Sequence, residues 1–281
     1  MISVIIPAHN EASVIGRCLS KLTDGLEPGE AEIIVVCNGC TDNTAEIARA
    51  YKVKVIETPA RSKVKALNIG DQAASWFPRF YVDADVCLPA ASLRMLSEAI
   101  LQKGFELVLP QAHVYVDDSP SWAVRWFYEI WQRLPCCSLG LIGGGAYGLS
   151  TEGRRRFREF PNIISDDGFV RLHFRPEEQH VIKDAKVYVY PPRSVKGLVR
   201  AHSRIHRGNW QLKRQFPYLW QENKESNLLG LMKTCATPRV WPHLTVYVAV
   251  KLLARVQAAL EYSRDADDSW ASDDSREYSG L

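Results

Sequence analysis

Short apolar runs alternate with helical patterns from the first residues to Val82, and that order constrains the fold more than any other feature of the chain. Val4-Ile5-Ile6 is followed by Pro7 and then by Val14, Ile15, Cys18, Leu19 and Leu22 at helical spacing. Ile33-Ile34-Val35-Val36 is apolar on both faces, as in a strand covered by helices on each side. It leads into a loop rich in Asn, Gly, Thr and Asp, then a helix from Ala45 to Tyr51. Val53-Lys54-Val55-Ile56 reads as a third strand, Ala66 to Ala74 as a helix and Phe80-Tyr81-Val82 as a fourth strand. A β-α-β-α order argues for an α/β fold with a parallel sheet between helices. Ligands of such sheets bind beyond the carboxyl ends of the strands. Pro7 to Glu11, Asn38 to Asp42 and Asp83 to Asp85 are therefore expected to converge.

Asp83-Ala84-Asp85 carries the clearest chemistry. Side chains two apart at a strand exit share a face, so both carboxylates can address one site. Hard oxygen donors of this kind suit Mg²⁺ or Mn²⁺, which completes its shell with phosphate and water. The second half is less regular. Leu107-Val108-Leu109 reads as a strand, Trp122 to Leu134 as a helix, and Gly143-Gly144-Gly145 as a loop that lets backbone approach a ligand. A helix is expected after Asp166-Asp167, a strand around Val187 to Tyr190, and a basic region from Arg193 to Arg214. The tail 265–281 is acidic, poor in apolar residues and expected to be disordered.

The formal charge of +3 gives no argument for nucleic acid. Seven cysteines and no signal-peptide pattern before Ser3 fit reduced thiols in the cytoplasm. Cys37 and Cys40 form C-x-x-C without a second zinc pair, since Cys136 and Cys137 are adjacent. No run of the ~20 apolar residues a membrane span needs is evident, because Pro242, His243 and Lys251 break Val240 to Leu253. That segment reads as an amphipathic helix with Leu244, Val248, Leu252 and Val256 on one face. It either packs on the rest of the fold or lies on a membrane surface.

Val4-Ile5-Ile6-Pro7-Ala8-His9-Asn10-Glu11, Val35 to Thr44, Lys63 to Asn68, Asp83-Ala84-Asp85, Gly143 to Ser150 and Ile164-Ser165-Asp166-Asp167 follow in order. Together they resemble the family 2 glycosyltransferases from Met1 to Gln211. The resemblance implies the GT-A fold: a mixed, mainly parallel sheet with flanking helices, a Rossmann-like nucleotide-binding half and an acceptor-binding half. It places a catalytic domain at 1–215, with halves 1–110 and 111–215, and a C-terminal helical segment at 216–264. It implies metal-dependent, inverting transfer from a nucleotide-diphosphate sugar to an acceptor hydroxyl in cell-envelope polysaccharide or glycolipid synthesis. The donor expected is UDP-linked ahead of GDP- or dTDP-linked. The acceptor is a glycan or a lipid-linked molecule, at the inner face of the membrane if the latter.

By the same resemblance Pro7, Ala8 and Glu11 line the base and ribose. Asn38 stands where many relatives carry the Asp that accepts the uracil N–H. Lys63 approaches the nucleotide and phosphates, with Ser62 where Gly often precedes it. Asp83 lies toward ribose and metal, and Asp85 is the firmer ligand of Mn²⁺ or Mg²⁺. Asp167 takes the position of the base, with Asp166 orienting the acceptor or tuning its neighbour. Arg204 and Arg207 contact the diphosphate, and His202 or His206 completes the metal shell. Plainer readings stand beside these. Glu11 and Ser165-Asp166-Asp167 suit helix starts, Asp42 suits a cap, Lys63 a solvated surface and His202 simple packing. Two rival functions are a nucleotidyltransferase acting on sugar phosphates and a non-catalytic nucleotide-sugar-binding module.

Overall fold

The computed structural model describes residues 1–134, 144–222 and 240–264. Cys136, Cys137, Gly143 and the acidic tail 265–281 lie outside the described residues. The expected alternation forms as read. β1 (Ile2–Ala8) pairs in parallel with β2 (Ala31–Asn38) and β4 (Arg79–Val82), and β2 pairs with β3 (Lys54–Thr58). Every residue of β1 is buried. Val4 and Ile6 enter one apolar layer and Ile5 the other, as strand alternation requires. α1 (Ile15–Thr23) and α2 (Thr44–Arg49) follow β1 and β2.

α3 (Lys63–Ala73) lies close on the sheet, since a Cβ on its Gly70 would stand 2.4 Å from Ile5 Cγ2. Ser62 is the N-cap of α3 and accepts from the Lys65 N–H at 3.4 Å. That cap makes Lys63 the first residue of the helix and fixes where its side chain departs.

The second half departs from simple parallel winding. β6 (Ala146–Leu149) runs antiparallel between β4 and β5 (Leu107–Val114), and β7 (Gln179–Val189) lies parallel to β5 at the edge. One sheet of order β3-β2-β1-β4-β6-β5-β7 thus runs through both halves. Sequence periodicity hides β6 because two of the residues about it are Gly145 and Gly148. A Cβ at Gly148 would lie 2.3 Å from the Phe80 ring, so the strand's bareness is what lets Phe80 pack across it.

Helices α4 (Ala90–Lys103), α5 (Trp122–Trp131), α6 (Thr151–Arg155) and α7 (Asp166–Leu172) cover the sheet. α5 stops short of the expected Leu134. The basic region becomes one 21-residue helix, α8 (Val195–Gln215), capped by Ser194, with α9 (Pro217–Glu222) after it. α10 (Trp241–Arg264) packs on α8 and α5 through buried Tyr247, Val250, Ala254 and Ala258. Its opposite side exposes Val248, Leu252, Leu253 and Val256, with Leu252 60% exposed. The helix therefore has two apolar sides, where one was expected. By length and composition alone Trp241–Tyr262 suffices to cross a membrane, which corrects the reading of the segment as too broken.

Candidate active site

The loops after β1 and β2 are tied to each other before any ligand is considered. His9 Nδ1 stands 2.6 Å from the Asn38 carbonyl oxygen, and Asn10 Oδ1 accepts from the Thr41 N–H at 2.8 Å. Asn10 holds a left-handed backbone, φ 53°, a conformation Asn tolerates better than most residues. The Glu11 N–H donates to Thr44 Oγ1 at 2.8 Å, and the Ala12 N–H to Asp42 Oδ2 at 3.0 Å. Asp42 also accepts from the Thr44 N–H at 3.1 Å, but the N-cap of α2 is Asn43, so Asp42 braces the turn before the helix rather than capping it as expected. Pro7 and Ala8 are buried within β1, and half-buried Asn10 and Glu11 reach the surface. Asn38 is fully buried, and among the described residues neither end of its amide has a hydrogen-bond partner. A buried amide with both ends open is costly.

The centre of the site is Lys63. Its Nζ lies 2.7 Å from Asp83 Oδ1 and 2.7 Å from Asp166 Oδ1. The end of β4, the start of α3 and the start of α7 therefore meet at one ammonium. Burial alone would pull the Lys63 ammonium down, but Asp166 and Asp83 outweigh it and hold the group well above its ordinary value. Asp166 is 5% exposed at its side chain. Burial pushes its carboxyl up to about 6, with Lys63 opposing and Asp83 and Asp167 adding to the rise.

Gly145 completes this geometry. It is left-handed (φ +61°), its carbonyl accepts from the Asp83 N–H at 2.7 Å, and a Cβ there would stand 3.2 Å from Asp83 Oδ2. Asp85 lies half-buried in the turn after β4, its carbonyl 3.5 Å from Arg17 Nη2.

Asp167, expected at the position of the base, lies at the surface. Its Oδ1 accepts from Ser165 Oγ at 2.9 Å and from the Gly168 N–H at 2.7 Å. Of the two adjacent acids, Asp166 is the one turned to Lys63 and Asp83. Successive helical residues diverge by ~100°, so both cannot face one point.

Two residues of this region carried no role in the sequence reading. His9 links the two loops, and Tyr147 of β6 buries its hydroxyl without a described hydrogen-bond partner. Burial and then the Asp166 charge push the Tyr147 phenol well up. Its signal lay in an aromatic residue between two glycines, beside a strand that periodicity did not reveal.

The expected roles of His202 and Arg207 are corrected. His202 is buried between helices, its ring 4.8 Å from that of Phe127 and its Nδ1 3.4 Å from Lys251 Nζ. Arg207 Nη1 lies 3.1 Å from Glu261 Oε2, which ties α8 to α10. The reason is helical phase: positions 203 and 207 face α10. Gly208 and Gln211 face the segment before α7, where Gln211 Oε1 accepts from the Ile164 N–H at 2.8 Å. Arg204 lies one turn before Gly208 and is exposed. His206 is half-buried, with Nε2 unpartnered among the described residues.

Burial, then Lys251 and His206, push His202 down to about 3. A histidine whose folded value lies below its unfolded one stabilises the fold when neutral, and that stability is lost as pH falls from about 6.5 toward 3. At about 1.4 kcal/mol per pH unit the full loss approaches about 5 kcal/mol. His202→Leu is expected to flatten this acid limb in urea titrations between pH 7 and 4; an unchanged slope would assign the acid sensitivity elsewhere.

The donor set fits a hard divalent cation only in part. Asp83 and Asp85 supply carboxylate oxygens on one turn. Among the described residues no group of three or more His, Cys, Asp or Glu could hold an ion. Two protein carboxylates with diphosphate and water filling the rest is the usual arrangement for Mg²⁺ at phosphate sites.

Comparison with known proteins agrees with this architecture. The sequence pattern of glycosyl transferase family 2 matches residues 3–168. The chain is 36% identical over 95 residues to the glycosyltransferase AglE of Haloferax volcanii, covering 31% of each. The match thus spans about a third of that relative's length. Among solved structures, the mannosyltransferase PcManGT from Pyrobaculum calidifontis, in complex with GDP-Man and Mn²⁺, superposes with a TM-score of 0.66. Its identity is 17%, over 92% of this chain and 87% of that one. Glucosyl-3-phosphoglycerate synthase from Mycobacterium tuberculosis, in complex with Mn²⁺, UDP and glucosyl-3-phosphoglycerate, gives 0.55 at 20% identity, over 76% of this chain and 79% of that one. The superpositions show a shared GT-A fold, and the matched pattern covers more than half of the sequence. The chain belongs to glycosyl transferase family 2.

Proposed function

We propose that the protein transfers a sugar, with inversion, from a nucleotide-diphosphate sugar to an acceptor hydroxyl of a glycan or lipid-linked molecule in cell-envelope polysaccharide or glycolipid synthesis. The observation that carries this reading is the meeting of Asp83, Lys63 and Asp166 at the carboxyl end of the central strands. The acceptor oxygen bonds to the anomeric carbon as the bond from that carbon to the diphosphate oxygen breaks, its electron pair leaving with the diphosphate. Asp166 takes the acceptor proton, and its raised value suits a base working near neutral pH. Lys63 shifts from Asp166 toward the incoming diphosphate, which removes the cation that was lowering Asp166 and makes it a stronger base. Arg204 adds a second cation at the rim. Asp85, with Asp83, would hold Mn²⁺ or Mg²⁺, which offsets charge on the leaving diphosphate. PcManGT with GDP-Man and Mn²⁺, and the synthase with UDP and Mn²⁺, support both the donor class and the metal.

UDP stands ahead of GDP by the family resemblance, not by Asn38, whose amide is fully buried and presents no edge to a base. A nucleotidyltransferase is not favoured, because family membership and the Pro7 to Glu11 loop, which is neither Gly-rich nor basic, both oppose it.

The test is nucleotide release from UDP-, GDP- and dTDP-sugars with Mn²⁺ or Mg²⁺, with and without acceptor extract. Release that is metal-dependent, acceptor-stimulated and strongest with a UDP-sugar is expected; release from none refutes the reading.

The exposed apolar side of α10 supports docking on a membrane surface. A 24-residue helix is ~36 Å long, and Val248, Leu252, Leu253 and Val256 lie bare along it while the other side is held by α5 and α8. An interfacial helix buries one such side and keeps its packing on the other. The protein is expected to co-sediment with vesicles containing phosphatidylglycerol, and Leu252→Glu/Val256→Glu to weaken this at least ~10-fold. Absence of sedimentation would refute docking.

A further inference from the structure

Two thiols sit in the loops proposed to hold the nucleotide, and the transfer chemistry uses neither. Cys37 lies near the end of β2 and is 1% exposed; Cys40, beyond Asn38 and Gly39, is half-buried, and both are free. Gly39 is left-handed (φ +64°), and a Cβ there would stand 2.5 Å from Arg61 Cγ, so this turn needs glycine. Across the turn the Cys37 and Cys40 side chains hydrogen-bond to each other. Cys40 Sγ also donates to the Ala8 carbonyl at 3.4 Å and accepts from the Asn10 backbone. The pair therefore ties the loop after β1 to the loop after β2, as His9 does.

Its surroundings set Cys40 apart from Cys18 and Cys87, whose thiols are pushed up by burial into the protonated, unreactive form. The hydrogen bond from Cys37 holds the Cys40 thiol below its ordinary value, against the pull of burial. An accessible thiolate with a second thiol in contact is the arrangement of reversible redox cysteines.

We propose that Cys37 and Cys40 are a modification site, which hydrogen peroxide converts to a disulfide that weakens donor binding. The Cys40 thiolate attacks one peroxide oxygen: an S–O bond forms, the O–O bond breaks, and the departing hydroxide takes a proton and leaves as water. The Cys37 sulfur then attacks the Cys40 sulfur. The S–S bond forms, the S–O bond breaks, and the Cys37 proton leaves with the hydroxide as a second water. Sulfurs already in hydrogen-bond contact have only to close to ~2.05 Å. The disulfide has no S–H to give the Ala8 carbonyl, so the β1 loop loses a tie at the residue placed against base and ribose. A dithiol reductant reverses the change. The effect on binding rests on the proposed donor reading; the disulfide itself rests on the cysteines alone.

The test treats the full chain with hydrogen peroxide, desalts it, and compares tryptic peptides and titrations with UDP and GDP in Mn²⁺. The peptide between Lys21 and Arg49 contains no cysteines but Cys37 and Cys40. It is expected to lose both thiol hydrogens, while nucleotide affinity falls at least ~10-fold and returns with dithiothreitol. Cys37→Ser/Cys40→Ser should keep its affinity through the same treatment, and Cys40→Ala takes its place if the double variant fails to fold. A peptide that keeps both thiols or gains oxygen in place of the disulfide would overturn the proposal. So would a disulfide that leaves affinity unchanged, or an equal loss in the cysteine variants. Failure of the reduced protein to bind either nucleotide would instead refute the donor reading, and the peptide would still report the disulfide.

Discussion

Asp166→Asn is expected to lower sugar transfer by about 10²–10⁴-fold, the range a positioned base contributes, while Asp167→Asn stays within about tenfold of the native rate. Nucleotide release at saturating donor and acceptor measures both. The contrast follows from position. Asp166 is 5% exposed and reaches Lys63 at 2.7 Å, whereas Asp167 lies at the surface with its Oδ1 accepting from Ser165 Oγ and the Gly168 N–H. The amide introduced by Asp166→Asn would keep the size of the side chain but not its ability to take a proton. Donor binding should therefore survive in that variant, and the loss should appear in kcat with little change in the donor KM. The opposite ranking, with Asp167→Asn the more damaging, would return the base to Asp167 and make Asp166 the partner that holds Lys63.

Which of the two acids turns inward was not legible in the sequence, and the reason is specific. Two adjacent acids at a helix start are ~100° apart, so which one turns inward depends on how the helix is seated. The seating is set by Gly208 of α8, where a Cβ would stand 3.0 Å from Ser165 Cβ. No local pattern links residues 165 and 208. The same dependence on helical phase separates Arg204, which is exposed, from Arg207 and His202, which are committed to α10. By contrast, β1 to β4 and the convergence of their loops were legible, because apolar runs between helices leave few alternatives to a parallel sheet. β6 was not: its glycines serve Phe80 and Asp83, and those contacts cross the sheet rather than run along the chain.

Lys63→Met is expected to destabilise the metal-free protein by about 2–3 kcal/mol at pH 7, somewhat under the usual penalty for removing one partner of a buried ion pair. The discount reflects a side chain that is 21% exposed. The loss should depend on pH in a direction fixed by Asp166. Burial already holds this carboxyl above its ordinary value, and Lys63 is the group pulling it down. Without the lysine its folded value rises further while the unfolded value stays near 4. A group that binds protons more tightly when folded costs stability as pH rises from the unfolded value through the folded one. The variant should therefore approach the native protein near pH 4–5 and fall progressively behind it toward neutrality. Adding Asp166→Asn to Lys63→Met removes the stranded charge, and the double variant should recover to within about 1 kcal/mol of the native protein at pH 7. Urea unfolding of the four proteins across pH 4.5–8 measures the coupling. Additive losses with no pH dependence would show that Lys63 is a packing residue. A coupling that grows with pH would show that Asp83, Lys63 and Asp166 form one charged unit, in which binding an anion at Lys63 necessarily alters the proton affinity of Asp166.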